Sequence, residues 1–248
     1  MKPKINSLNF SFLIVIGLIA CGKSGTNKSD IKETEQASLA VETSTKPVQA
    51  KKTIRFNFDN YEIDQLPKGW SQAYTGSGGT DWNVIEEKGN KVFAQLYSDN
   101  PNKHFNIATN DSIEAKNMIL TVRLKGVKGN EDQGGGFVWR FKDKENYYIV
   151  RANPLEDNIV LYKVEDGKRT DLPLVDKGKT YGMKVQSMGN AWHTLKLSVN
   201  DNMFTVYFDD QEVFKVQDNT FTNAGKVGFW TKADAVTYFD DFEIAVLE

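Results

Sequence analysis

Arg140 and Arg151 stand inside two apolar, aromatic stretches, GFVWRFK (136–142) and NYYIVRA (146–152), joined by a short charged turn. A guanidinium is always charged. Its planar fork of donors matches carboxylates and vicinal hydroxyls, and its face stacks on aromatic rings. Side chains alternate across a strand. Phe137, Trp139 and Phe141 therefore share one face of the first stretch, and Val138, Arg140 and Lys142 the other. In the second stretch Tyr148, Val150 and Ala152 oppose Tyr147, Ile149 and Arg151. With Asp143–Asn146 as the turn, Phe141 faces Tyr148 and Trp139 faces Val150 as a core-facing set. Arg140 and Arg151 then emerge together on the opposite side. MILTVRLKG (118–126) points Met118, Leu120, Val122 and Leu124 inward, so as a neighbouring strand it adds Arg123 to the same face.

The expected result is a sheet face carrying Arg123, Arg140 and Arg151 beside Tyr147 and Trp230. Donor forks suit hydroxyl pairs, and flat rings suit the C–H face of a sugar. The alternative is that the arginines pair with Asp or Glu on adjacent strands and serve only to solubilise a face.

Two loops add polar groups. RANPLEDN (151–158) sets Asn153, Glu156, Asp157 and Asn158 beside Arg151. Asn153 is a candidate ligand contact. Glu156 is the best-placed general acid or base, provided burial raises its pKa; the same residues are also ordinary turn formers. WTKADAVTYFDD gathers Trp230, Lys232 and Asp234 after a strand. Trp230 is a candidate stacking platform, Lys232 a ligand contact and Asp234 a second candidate catalytic carboxylate. Equally, Trp230 fits the core and the other two fit solvent. Asp59 and Asp241 offer oxygen ligands for a structural calcium ion, the one cofactor the sequence suggests. Asp241 fits equally well as a cap on backbone N–H groups in a bulge. His193 reads as a packed or surface histidine. GSGG (76–79) lacks the strand-to-helix context and the lysine of a phosphate loop.

The elements that must position these groups are strands. Period-two patterns recur at 54–58, 82–86, 91–97, 118–126, 136–142, 146–152, 158–164, 193–199, 203–209, 212–216, 226–230 and 236–246, divided by Gly, Asn and Asp turns. No long stretch carries a helical period. Many strands and short loops predict an all-β, two-sheet jelly-roll sandwich, with Thr53–Phe58 and Val236–Val246 paired. The chain of 248 residues is 40% hydrophobic, enough for a substantial core. Its formal net charge of −2 gives no support for a nucleic-acid partner. One cysteine excludes an internal disulfide and a cysteine metal cage.

That cysteine has another use. Lys2 and Lys4 precede an apolar run, Phe10–Ala20, too short to span a bilayer as a stable helix. Leu18-Ile19-Ala20-Cys21 resembles the bacterial lipoprotein signal, the lipobox. The resemblance implies a signal peptide over 1–20, cleavage before Cys21 and lipid on that residue. The membrane is then a partner, and the chain resides at the cell envelope. Gly22 after the cysteine resembles export to the outer membrane in a host with two membranes. Residues 21–52 have no aromatics and few large apolar groups, so they read as a disordered tether, with the folded domain at 53–248.

GGGFVWRFKDKENYYIVRANPLEDNIVLYKVEDGKR, WHTLKLSV and AGKVGFWTKADAVTYFDDFEI together resemble the laminin-G-like, concanavalin A-like jelly-roll superfamily. Within it they are similar to the bacterial secreted domains named for 3-keto-disaccharide hydrolase activity, over about residues 54–248. The resemblance implies a β-sandwich, secretion and contact with saccharides. The Glu-x-Asp-x-x-Glu strand of the family 16 glucanases, which sets an acid and a nucleophile on one face, is missing; FDDFEI is a different pattern. Three functions follow as expectations: a saccharide-binding module, a hydrolase or lyase of modified disaccharides using Glu156 or Asp234, or an adhesion module that meets another protein.

Overall fold

The computed structural model describes residues 50–247. The chain divides between Thr45 and Lys46, and the described residues belong to the second part. The expected signal peptide, Cys21 and the tether up to residue 49 lie outside the described residues.

Among the described residues sixteen strands follow one another: β1 (Lys52–Phe56), β2 (Trp70–Thr75), β3 (Trp82–Glu87), β4 (Asn90–Gln95), β5 (Phe105–Ala115), β6 (Met118–Lys128), β7 (Gly135–Asp143) and β8 (Asn146–Asn153). They continue as β9 (Asn158–Glu165), β10 (Lys168–Asp171), β11 (Met183–Lys184), β12 (His193–Asn200), β13 (Met203–Phe208), β14 (Gln211–Gln217), β15 (Gly225–Lys232) and β16 (Val236–Val246). The first sheet runs β14-β13-β12-β6-β16-β4-β3, with β1 also on β16; the second runs β10-β9-β8-β7-β15-β5-β2, with β11 on β9. Every pairing is antiparallel.

Local sequence explains the hairpins. Lys88-Gly89, Asp166-Gly167 and Asp209-Asp210 join neighbouring strands as two-residue loops, and both residues of each pair have positive φ. That mirror-image turn matches the twist of the strands it connects. β12 shows the alternation plainly: Leu195, Leu197 and Val199 are buried, with Lys196 and Ser198 between them less so. Between the sheets the core is aromatic. Phe229 stacks on Phe239 at 4.4 Å and on Trp70 at 5.4 Å, and Phe93 and Phe242 close the pile. Fully burying one such ring contributes about 1.5–3 kcal/mol.

The expected pairing of first and last strands is present, with Phe56 opposite Phe242. Four strands fall outside the segments read as strands: β2, β5, β10 and β11. The register of β7 and β8 also differs from expectation. Trp139 faces Tyr148, Phe137 faces Val150, and three residues (140–142) oppose Tyr147 alone. The cause is a bulge centred on Arg140, whose φ of 48° is left-handed although it is not glycine. Gly225 on β15 makes room for it: a Cβ there would stand 2.6 Å from the Arg140 carbonyl carbon.

Candidate functional site

The pleat of the second sheet sends alternate side chains away from the first sheet. On that outer face Phe105, Ile107, Val138, Tyr147, Ile149 and Trp230 join Val160, Tyr162 and Val164 as a second apolar cluster, apart from the core between the sheets. Arg151 lies on this face, 2% exposed, one strand from Tyr162.

Arg151 is held from several directions. Its Nη2 donates to Glu156 Oε2 at 2.7 Å, Tyr181 Oη at 3.1 Å and Tyr162 Oη at 3.3 Å. Its Nη1 donates to the Asn158 side-chain oxygen. The Tyr162 hydroxyl donates to that of Tyr181 at 2.9 Å. Asn158 sits on β9 directly opposite Asn153 of β8, so strand pairing itself brings the short loop and its Glu156 back over Arg151. Tyr181, 52% exposed, and Glu156, partly exposed, carry the set to the surface.

The electrostatics suit a permanent ion pair. For Glu156 burial is the largest influence and raises the pKa; the Arg151 charge and hydrogen bond, the Asn158 hydrogen bond and the Lys232 charge together outweigh it and hold the carboxyl below its ordinary range. For Arg151 burial disfavours the charge, but Tyr162, Glu156, Asp132 and Tyr181 more than compensate and raise its pKa. Glu156 is therefore a carboxylate poised to accept hydrogen bonds. General-acid chemistry asks for the opposite shift.

A second pair lies on the neighbouring loop. Lys232 Nζ meets Asp132 Oδ2 at 3.1 Å, and Asp132 Oδ1 accepts from Asn153 Nδ2 at 3.2 Å and from the Gly134 N–H at 2.6 Å. Asp234 folds that loop. It accepts from the backbone N–H groups of Asn130 (2.6 Å), Glu131 (3.1 Å) and Asp132 (3.0 Å). Burial opposes ionisation of Asp234, and these bonds together with its own backbone N–H outweigh it, so its pKa is lowered. Asp234 is a loop anchor, committed to backbone.

Of the residues expected to meet on one face, Arg151, Tyr147, Asn153, Trp230 and Lys232 belong to the outer side of the second sheet or its rim; Arg140 and Arg123 do not. The bulge turns Arg140 inward to the end of the sandwich. There it caps the carbonyls of Phe221, Lys116 and Asp201 and lies over Phe204. Arg123 is on the first sheet, paired with Asp241 at 3.2 Å and 5.1 Å from the Trp192 ring. Trp230 and Tyr147 are buried. Burial raises the Tyr147 hydroxyl pKa, eased in part by the adjacent Trp230 indole and Arg169.

The carboxylates considered for calcium are otherwise engaged. Asp241 takes the Arg123 ion pair, and Asp59 accepts from Asn57 Nδ2 at 2.8 Å. Asp240, rather than Asp241, caps the bulge, accepting the Asp241 N–H at 2.7 Å. Among the described residues no group of three or more His, Cys, Asp or Glu side chains is placed to hold a metal. His193 is packed, stacked on Phe208 and bonded to Asp209 and Met188.

Sequence reasoning missed Asp132, Tyr162, Tyr181 and Arg169. The Arg169 guanidinium lies over the rings of Tyr162 (4.5 Å), Phe105 (5.1 Å) and Trp230 (5.7 Å). Its one legible signal was the Asp166-Gly167 pair, which makes a hairpin of EDGKR and so returns Arg169 across Val164. Tyr181 stands in a segment with no period to read.

No family model and no curated protein matches the sequence. Solved structures do match in fold. The carbohydrate-binding module CBM66 from Bacillus subtilis aligns with a TM-score of 0.54 at 20% identity, over 71% of this chain and 94% of that one. The cellulose-induced protein Cip1 aligns with 0.54 at 11% identity, over 77% and 96%. The xylan β-1,4-xylosidase from Bacillus halodurans C-125 aligns with 0.51 at 14% identity, over 77% of this chain and 38% of that one. At these identities what is shared is the fold, a two-sheet jelly-roll β-sandwich.

Proposed function

We propose that the protein is a saccharide-binding module whose site is the outer face of the second sheet around Arg151, Glu156, Tyr162 and Tyr181. The observation that carries this reading is the buried Arg151 holding a partly exposed carboxylate and an exposed tyrosine at the surface of an otherwise apolar sheet face. A sugar needs that combination: acceptors and donors for hydroxyls, and a ring for C–H stacking. One of the fold neighbours is a carbohydrate-binding module, which supports the same reading. The lowered pKa of Glu156 and the commitment of Asp234 to backbone favour binding over hydrolysis. The resemblance of NYYIVRAN and VGFWTKADAVTYFDDF to the 3-keto-disaccharide hydrolase domains is thus taken as a shared saccharide-contacting fold without shared hydrolysis. Lipid on Cys21 would hold the module at the cell envelope, a proposal that rests on the basic start, the Phe10–Ala20 apolar run and the LIAC motif.

Calorimetric titration of the full-length chain with a panel of oligosaccharides tests the binding reading. One saccharide class is expected to bind, with affinity falling about tenfold in Glu156→Gln and in Tyr181→Ala, the scale of losing one charge-assisted or stacking contact. Binding to no member of the panel, or binding unmoved by both substitutions, overturns it. Loss of membrane association and of fatty-acid labelling in Cys21→Ser is the expected result for the anchor; retention of both would remove it.

A further inference from the structure

Arg169 differs from every other arginine near the proposed site in having no polar partner. It is partly exposed, stands on β10 opposite Val164, and spreads its guanidinium over Tyr162, Phe105 and Trp230. Among the described residues it makes no hydrogen bond and no ion pair, although Asp171 lies on the same face of its strand. Stacking occupies the face of the ion and leaves its N–H donors radiating in the plane. Two other local pairs are closed, Arg151 with Glu156 and Lys232 with Asp132, and Arg169 joins neither.

The cluster beneath Arg169 also holds two buried polar groups, an indole N–H and a phenol hydroxyl. Trp230 Nε1 and the Tyr147 hydroxyl are both buried, and among the described residues neither has a hydrogen-bond partner. They lie side by side without the alignment of a mutual hydrogen bond. Buried polar groups usually find a partner, and an unpaired one is costly. An indole N–H only donates, and so does a guanidinium. Those two atoms are out of a ligand's reach, and what the surface offers is the Arg169 guanidinium, whose complement is an acceptor-only, negatively charged group.

We propose that Arg169 forms an anion-recognising subsite that takes the carboxylate of a uronic-acid-containing saccharide. The inference rests on the saccharide reading above and names its substrate class. Tyr162 joins the two places, with Arg169 at 4.5 Å from its ring and Arg151 bonded to its hydroxyl. Sugar hydroxyls meet the Arg151–Glu156 side, which both donates and accepts. The carboxylate meets Arg169, which only donates.

The test titrates the full-length chain with tetramers of galacturonate, mannuronate and glucuronate, each beside its uncharged methyl ester, and with neutral oligosaccharides. At least one acid is expected to bind about tenfold or more tighter than its ester, the scale of a charge-assisted hydrogen bond. The preference is expected to shrink as salt rises, to vanish in Arg169→Gln and to survive in part in Arg169→Lys. Neutral sugars or esters binding as well as the acids overturns the Arg169 subsite and leaves the saccharide reading standing. An acid preference that persists in an Arg169→Gln protein with unchanged thermal unfolding does the same. Binding of nothing on the panel overturns both. Should Arg169→Gln fail to fold, the acid-against-ester comparison in the unaltered protein decides alone.

Discussion

Arg140 and Arg151 belong to paired strands of one sheet, and their guanidinium groups leave it on opposite sides. Arg140 reaches past Phe204 of the first sheet to three loop carbonyls, while Arg151 lies over Tyr162 and Tyr181 on the outer face. A bulge at Arg140 inverts the direction that strict alternation assigns to it. One arginine therefore ties loops together and the other organises the proposed site.

That division separates stability from binding. Arg140→Met removes donors from the carbonyls of Lys116, Asp201 and Phe221 at once, and should cost about 2–4 kcal/mol in denaturant unfolding. Its saccharide affinity should equal that of the unaltered protein. Arg151→Met should lower both stability and affinity, because Glu156 and Tyr181 lose the group that orients them.

Stability should also depend on pH through Glu156 and Asp234. Both have folded pKa values below their ordinary ones. Such a group stabilises fully above its unfolded pKa, and the contribution is lost as pH falls through the folded pKa. Thermal unfolding should therefore weaken below about pH 5, with a shallower slope in Glu156→Gln. Asp240 acts in the opposite sense. Burial raises its pKa above the unfolded value, so its contribution is present at low pH and lost as pH rises through the raised value. An acid limb as steep in Glu156→Gln as in the unaltered protein would refute the assignment.

Asp234→Ala leaves three backbone donors without their acceptor. The expected cost is about 1–3 kcal/mol, with faster amide exchange confined to the loop around residues 130–132. Lys232 and Asn153, which depend on Asp132 of that loop, should lose order in the same variant.

Much of this architecture was legible. Alternation gave most strands, and the outward phase of Tyr147, Ile149 and Arg151 is the one found. Pairing of the two terminal strands followed from where a jelly roll closes. Three things were not legible. β5, FNIATNDSIEA, is buried on both faces along Phe105–Asn110, and its Asn106 and Asn110 are buried too, so its polar residues do not mark a solvent face. The bulge at Arg140 has no glycine of its own; the residue that permits it, Gly225, is distant in sequence and meets it only in the folded sheet. Arg169 and Tyr181 come from short hairpin and loop segments, and their relation to Tyr162 exists only once β9, β10 and the following loop are folded together.

The central claim is a location: saccharide on the outer face of the second sheet. Heteronuclear NMR of the labelled full-length chain, titrated with the tightest oligosaccharide from the calorimetric panel, tests it most directly. Shift changes are expected to cluster at Arg151, Glu156, Tyr162, Arg169 and Tyr181, with Arg123 and Trp192 unmoved. Changes centred on Arg123 and Trp192 would contradict it.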